Sequence, residues 1–111
     1  MEQKEWSHWD IMEQYDPELS KSVTEWRNQL GKDPVIPHKY QELMKVAMAS
    51  VLRFDAAIKG HAAAAMKFGA SREELFETLA LSMMLGGIPA YREASTVLKE
   101  ILIENTGRTN Q

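Results

Sequence analysis

The sequence predicts an all-α protein, a compact bundle of five or six helices built around a central antiparallel helix hairpin. Three observations carry that prediction. Apolar residues recur at spacings of three and four, and nowhere do they alternate with period two over the length of a strand. Helix-start and helix-stop residues punctuate the chain at Asp16-Pro17, Gly31, Pro37, Gly69-Ala70-Ser71 and Gly86-Gly87-Ile88-Pro89. The length of 111 residues, 44% hydrophobic and 26% charged, suits one globular domain rather than a disordered chain or two independent folds.

The elements follow in order. Trp6, Trp9 and Met12 share one face of a short helix near the N-terminus. Asp16-Pro17-Glu18 opens the next helix, with an acid at the N-cap, proline at the first helical position and a second acid behind it. Leu19, Val23, Trp26 and Leu30 make its apolar stripe, and Gly31 closes it. Asp33-Pro34-Val35-Ile36-Pro37 is an extended linker, because each proline restricts the residue before it. Residues 1–37 are thus a helical extension and linker ahead of core helices over 38–104, with a polar tail at 105–111.

Within the core, a helix is expected over 38–52. From Leu43 to Leu52 only Lys45 is charged, so most faces of this helix call for burial. A break follows at Arg53-Phe54-Asp55, with Asp55 as the cap of a helix over 56–68 that holds the run Ala62-Ala63-Ala64-Ala65. Gly69 takes the C′ position of that helix. Ser71-Arg72-Glu73-Glu74 is a capping box for a helix that stops at Gly86-Gly87, and Pro89 starts a last helix that runs to about Glu104. Helices that are apolar on most faces need cover on most sides, and a chain this short has little material to supply it. The expected resolution is an obligate homo-oligomer.

Composition excludes several classes of function. With no cysteine, the chain offers no disulfide, no thiolate metal site and no thiol nucleophile. A net charge of −3 argues against a dedicated nucleic-acid binder. The charged start is unlike a secretory signal, and the longest uncharged stretch, 78–91, is too short and too rich in glycine and proline to span a bilayer. The expected location is the cytoplasm, with no membrane partner. His8, His38 and His61 have no spacing that suits a metal set, and Gly86-Gly87 lacks the lysine and preceding strand of a phosphate loop, so no metal is expected.

Two residues stand out chemically. His61 falls mid-helix with Ala57, Ile58, Ala64 and Ala65 around it, an apolar face on which a histidine serves either as a core hydrogen-bonding group or as a proton carrier. Glu42 lies near the start of the preceding helix, where a carboxylate also suits the helix dipole. If the two helices form a hairpin, the midpoint between 42 and 61 falls beside the predicted break, which puts the two residues level within about one turn. A carboxylate on one imidazole nitrogen orients the ring and leaves the other nitrogen for substrate protons.

The stretch Arg53-Phe54-Asp55-Ala56-Ala57-Ile58-Lys59-Gly60-His61, then Ala64-Ala65, Phe68-Gly69-Ala70-Ser71-Arg72-Glu73-Glu74 and Glu77, resembles the carboxymuconolactone decarboxylase and alkylhydroperoxidase D family. So does Gly86-Gly87-Ile88-Pro89-Ala90 followed by Ala94. The resemblance covers close to half the chain, from about Glu42 to Ala94, and implies that family's all-helical fold and its assembly into trimers or hexamers. In the peroxidase branch two cysteines precede the histidine by seven and four positions, which are Phe54 and Ala57 here, while the glutamate nineteen residues ahead corresponds to Glu42. Without either sulfur, thiol peroxidase activity has no nucleophile and no resolving thiol.

The resemblance then points to the decarboxylase branch, a lyase reaction that uses no cofactor and loses CO₂ from a small lactone or unsaturated acid. In that reading His61 is the hydrogen-bond donor or general acid and Glu42 its orienting partner. Phe54 and Ala57 line an apolar pocket wall. Arg53, with Lys45 and Lys59 behind it, meets the anionic substrate. The alternative is a cysteine-less, non-catalytic oligomeric binding or interaction protein on the same scaffold. The methionines at 44, 48, 83 and 84 are expected in core packing.

Overall fold

A computed structural model describes residues 5–103, and the polar tail and the end of the last expected helix lie outside the described residues. The chain divides between Val35 and Ile36 into two compact units. No strand occurs among the described residues, as the helical spacing requires.

The first unit holds α1 (His8–Tyr15) and α2 (Pro17–Leu30). A capping box starts α1: Asp10 N–H donates to Ser7 Oγ at 3.2 Å, and Ser7 N–H donates to Asp10 Oδ2 at 3.0 Å. The cap places Trp6 outside the helix, so it does not share a helical face with Trp9 and Met12 as the spacing suggested. Asp16 caps α2 through Leu19 N–H at 3.0 Å, with Pro17 at the first helical position. The Arg27 guanidinium sits 4.4 Å from the Trp9 ring centroid and ties the two helices together. Neither helix contains a buried residue. Leu19, Trp26 and Leu30 of the expected stripe are exposed.

The second unit holds α3 (His38–Leu52), α4 (Asp55–Lys67), α5 (Arg72–Val97) and α6 (Lys99–Ile103). The turn between α3 and α4 is as short as a helix hairpin allows. Arg53 takes the left-handed conformation, φ 57° and ψ 40°, and Phe54 N–H returns to Ala49 O at 2.9 Å. This six-to-one closure usually employs glycine at the left-handed position. Phe54 then occupies the N-cap of α4 in an extended conformation with no side-chain cap bond. Asp55 is therefore the first residue of α4 and not its cap. Its charge sits in the first turn, where the helix dipole favours it.

Gly69, with φ 96°, follows α4, and the predicted capping box of α5 is present: Glu74 N–H donates to Ser71 Oγ at 3.0 Å and Ser71 N–H to Glu74 Oε1 at 2.9 Å. The break predicted at Gly86-Gly87 is present: α5 is two helical segments that meet at a kink there. Gly87 has φ 72° and ψ 179°, a region open essentially only to glycine, and Pro89 two residues on has no N–H to donate. The last helix also differs from expectation, since Leu98, with φ −98° and ψ 12°, separates α6 from α5.

The core lies where α3, α4 and α5 meet. Val46, Ile58, Ala62, Ala65, Leu75, Leu79, Ala94 and Leu98 are buried. Ala62 and Ala65 bring the α4 backbone close to its neighbours, and Leu75, Leu79 and Leu98 supply the volume. Of the buried polar side chains, Ser50 and Ser82 donate to their own helix backbone, Ser50 to Val46 O at 2.7 Å and Ser82 to Leu79 O at 2.6 Å. The α3 helix is less enclosed than its sequence suggests: Met44 is 48% exposed, Met48 58% and Leu52 74%. These methionines line a surface and not the core. On α5, Leu81, Met84, Leu85 and Ile88 are exposed in the same way.

Candidate active site

The hairpin turn places Glu42 and His61 opposite each other. Glu42 sits in the second turn of α3 and His61 in the middle of α4. Nδ1 of His61 lies 3.0 Å from Oε1 of Glu42. The contact joins α3 to α4 across the hairpin, from a residue well before the turn to one well after it. Its α4 neighbours Ile58, Ala62 and Ala65 are fully buried.

The other carboxylate oxygen is taken as well. Lys45, one turn along α3, donates from Nζ to Glu42 Oε2 at 3.1 Å. The Glu42 side chain is 11% exposed, against 37% for His61 and 45% for Lys45, so an enclosed carboxylate is flanked by two groups that reach solvent. Burial pushes the Glu42 carboxyl upward. The hydrogen bonds and charges of His61 and Lys45 outweigh it and hold the group below its ordinary value.

An ionised Glu42 only accepts hydrogen bonds, so the proton in the contact belongs to His61 Nδ1. Among the described residues Nε2 has no hydrogen-bond partner. The arrangement therefore holds an imidazole by one nitrogen and presents the other, which is what proton exchange with a small molecule requires.

The remaining predicted residues lie towards the turn. Phe54 and Ala57 precede His61 by seven and four positions, on the same stripe of α4, with Phe54 about 10 Å along the helix from His61 at the standard helical rise. Phe54 is 58% exposed and Ala57 half-buried. Arg53 ends α3, about 16 Å along that helix from Glu42. Its charge acts on Glu93 of α5, whose carboxyl is raised chiefly by a hydrogen bond with Asp55 and partly lowered by Arg53. Among the described residues, no hydrogen bond, ion pair or ring contact joins Arg53 or Phe54 to Glu42 or His61, and Lys59 is exposed on α4.

The other two histidines have aromatic partners: His8 packs on Trp9 at 4.4 Å, and His38 stacks on Phe68 at 5.1 Å. Among the described residues no three histidine, aspartate or glutamate side chains are grouped to hold a metal ion. A cavity of about 260 Å³ between α3 and α5 is lined by Tyr40, Leu43, Met44, Glu77, Thr78 and Leu81, and includes neither Glu42 nor His61. Sequence reasoning placed Lys45 behind Arg53 and missed its bond to Glu42, although the spacing of three on a helix already puts the two on one face.

Comparison with known proteins fits this geometry. The profile of the Carboxymuconolactone decarboxylase family matches residues 17–100, well over half of the chain. The chain belongs to that family, and within it to the cysteine-free members. No curated protein matches the chain. Among the described residues no helix is long and apolar enough to cross a membrane.

Proposed function

From membership of the carboxymuconolactone decarboxylase family, we propose that this protein is a cofactor-free carboxy-lyase acting on a small lactone or unsaturated acid. The Glu42–His61 pair is the proton-transfer centre. The observation that carries this reading is the 3.0 Å contact between an enclosed carboxylate and a part-exposed imidazole whose second nitrogen has no hydrogen-bond partner among the described residues.

The chemistry balances with those two groups and one proton per turnover from solvent. The bond between the substrate's α-carbon and its carboxylate breaks, CO₂ leaves, and the electron pair passes into a dienolate. His61 acts here as the imidazolium, with Nδ1–H held by Glu42, and its Nε2–H donates to the developing oxyanion or gives its proton to carbon. Glu42 stabilises the imidazolium before the transfer, the transfer leaves a neutral ring with its proton on Nδ1, and a proton from solvent then restores Nε2–H. Phe54 and Ala57 form the apolar wall that strips water from the departing carboxylate, and Arg53 holds the anionic end of the substrate near the turn. The expected compartment is the cytoplasm.

The exposed apolar residues of α3 and α5 favour self-association, with Met48, Leu52, Met84 and Leu85 too large and too numerous to leave in water. A trimer or hexamer would cover them. The same face supports a second reading, in which the scaffold is an oligomeric binding protein without catalysis. The two readings separate on one experiment. A panel of small lactone acids and unsaturated acids is followed for CO₂ release, with hydrogen peroxide and a dithiol as negative control. Turnover of any panel member supports the lyase, and binding without turnover supports the second reading. Sedimentation of a stable, well-folded monomer at micromolar concentration would contradict self-association.

A further inference from the structure

We infer that Lys45 is the positioning residue of the Glu42–His61 pair, fixing which carboxylate oxygen faces the imidazole. The inference rests on the proposed catalytic use of that pair, but the geometry behind it does not. The terminal torsion of a glutamate is broad and nearly two-fold, so a carboxylate held at one oxygen can rock or exchange its oxygens. Glu42 is held at both. Oε1 meets His61 Nδ1 at 3.0 Å and Oε2 meets Lys45 Nζ at 3.1 Å. The two donors come from different helices, α4 and α3, so the carboxylate bridges the hairpin and cannot follow one helix without straining its bond to the other.

Ordinary ion pairs at this helical spacing contribute little to stability when both partners are solvated. Here only the lysine end is open, since Glu42 is 11% exposed while Lys45 is 45% exposed. Desolvation alone would favour a protonated Glu42, and a protonated carboxyl could donate to His61 and reverse the tautomer. Lys45 opposes that outcome by keeping Glu42 an acceptor. Its consequence for the pair is a proton fixed on Nδ1, with Nε2 the nitrogen left unengaged by Glu42.

The test uses the free protein and needs no substrate. Lys45→Met keeps the helix propensity and removes the charge, and Lys45→Arg restores it. Carbon-13 titration of the Glu42 carboxyl and nitrogen-15 spectra of the His61 ring are recorded for each, with circular dichroism as the folding control. In Lys45→Met the Glu42 titration should move up by about half to one pH unit, the scale of a contact charge in a watery dielectric. The share of His61 carrying its proton on Nδ1 should fall, and Lys45→Arg should return both signals towards wild type.

Spectra of Lys45→Met that superimpose on wild type would overturn the inference whatever the activity, and absence of lactone-acid turnover would leave these spectral predictions standing. Where a substrate is turned over, Lys45→Met should lower kcat by about tenfold, the scale of one hydrogen bond to a charged group, with KM nearly unchanged. A raised KM with unchanged kcat would make Lys45 a substrate-binding residue and overturn the positioning role.

Discussion

Adding one methyl group at Gly86 tests the packing that seats α5 on the hairpin. A Cβ at this position would lie 2.6 Å from Ala90 Cβ, 3.3 Å from the Val51 Cα and 3.4 Å from Val51 Cγ2. Carbon atoms settle at about 3.5–4.0 Å, so the first contact is far inside the repulsive wall. None of the three atoms is the end of a flexible side chain. The kink at Gly87 draws Ala90 onto Gly86, and Val51 is the α3 backbone itself.

Gly86→Ala should gain about 1 kcal/mol of helix propensity and lose about 1–3 kcal/mol to overpacking, with the two close contacts favouring the upper end. The net effect is a loss of about 1–2 kcal/mol, which lowers Tm by roughly 5–15 °C in a domain of this size. Urea unfolding followed by far-ultraviolet circular dichroism reads it directly. Gly60→Ala is the control, because no atom lies within 4 Å of its added Cβ and the helix gain of about 1 kcal/mol stands unopposed. Adding Ala90→Gly to Gly86→Ala should recover part of the loss by removing the shortest contact. A Gly86→Ala protein as stable as wild type would refute the close approach of α5 to Val51.

Other expectations follow from single features. Gly87→Ala should destabilise by about 1–3 kcal/mol in the same unfolding assay, because φ 72° with ψ 179° is strained for any side chain. Arg53→Gly should stabilise by about 0.5 kcal/mol, the left-handed penalty relieved at the turn less the entropy glycine adds to the unfolded chain. Glu42 has a folded value below the ordinary 4.5, so its contribution to stability is present above that pH and is lost as pH falls through the folded value. Wild type and Glu42→Gln should therefore differ most near neutrality and converge in acid. Glu93 has the opposite sign: its carboxyl is raised beside Asp55, so Glu93→Gln should increase stability at neutral pH and change nothing in strong acid.

The fold was legible where local chemistry is strong. Ser71 with Glu74, Asp16 with Pro17, and Gly86-Gly87 with Pro89 mark positions whose backbone demands those residues. The Glu42–His61 contact was legible for a different reason, since a short hairpin brings residues on either side of its turn near one another. What escaped notice lacked a characteristic residue. Arg53 occupies a left-handed position usually given to glycine, so the turn left no mark, and the cap is Phe54, one residue ahead of the expected Asp55. Nothing in the spacing around Leu98 announces the break before α6. Ser7 with Asp10 is a capping box whose acid is aspartate, and overlooking it put Trp6 inside a helix. Met44, Met48 and Leu52 carry a pattern that signals burial without saying whether the cover comes from the same chain. Lys45 was visible at the right spacing from Glu42, but its bond depends on the carboxylate rotamer, which sequence does not encode.

The most direct measurement is the rate of CO₂ release by wild type, His61→Ala and Glu42→Gln on a lactone acid that wild type turns over, with circular dichroism and sedimentation confirming that each variant keeps its fold and assembly. Loss of a positioned acid-base group predicts a fall in kcat of about 10²-fold or more for His61→Ala, with a smaller fall for Glu42→Gln because the ring remains. Turnover by His61→Ala at the wild-type rate would contradict a catalytic Glu42–His61 pair.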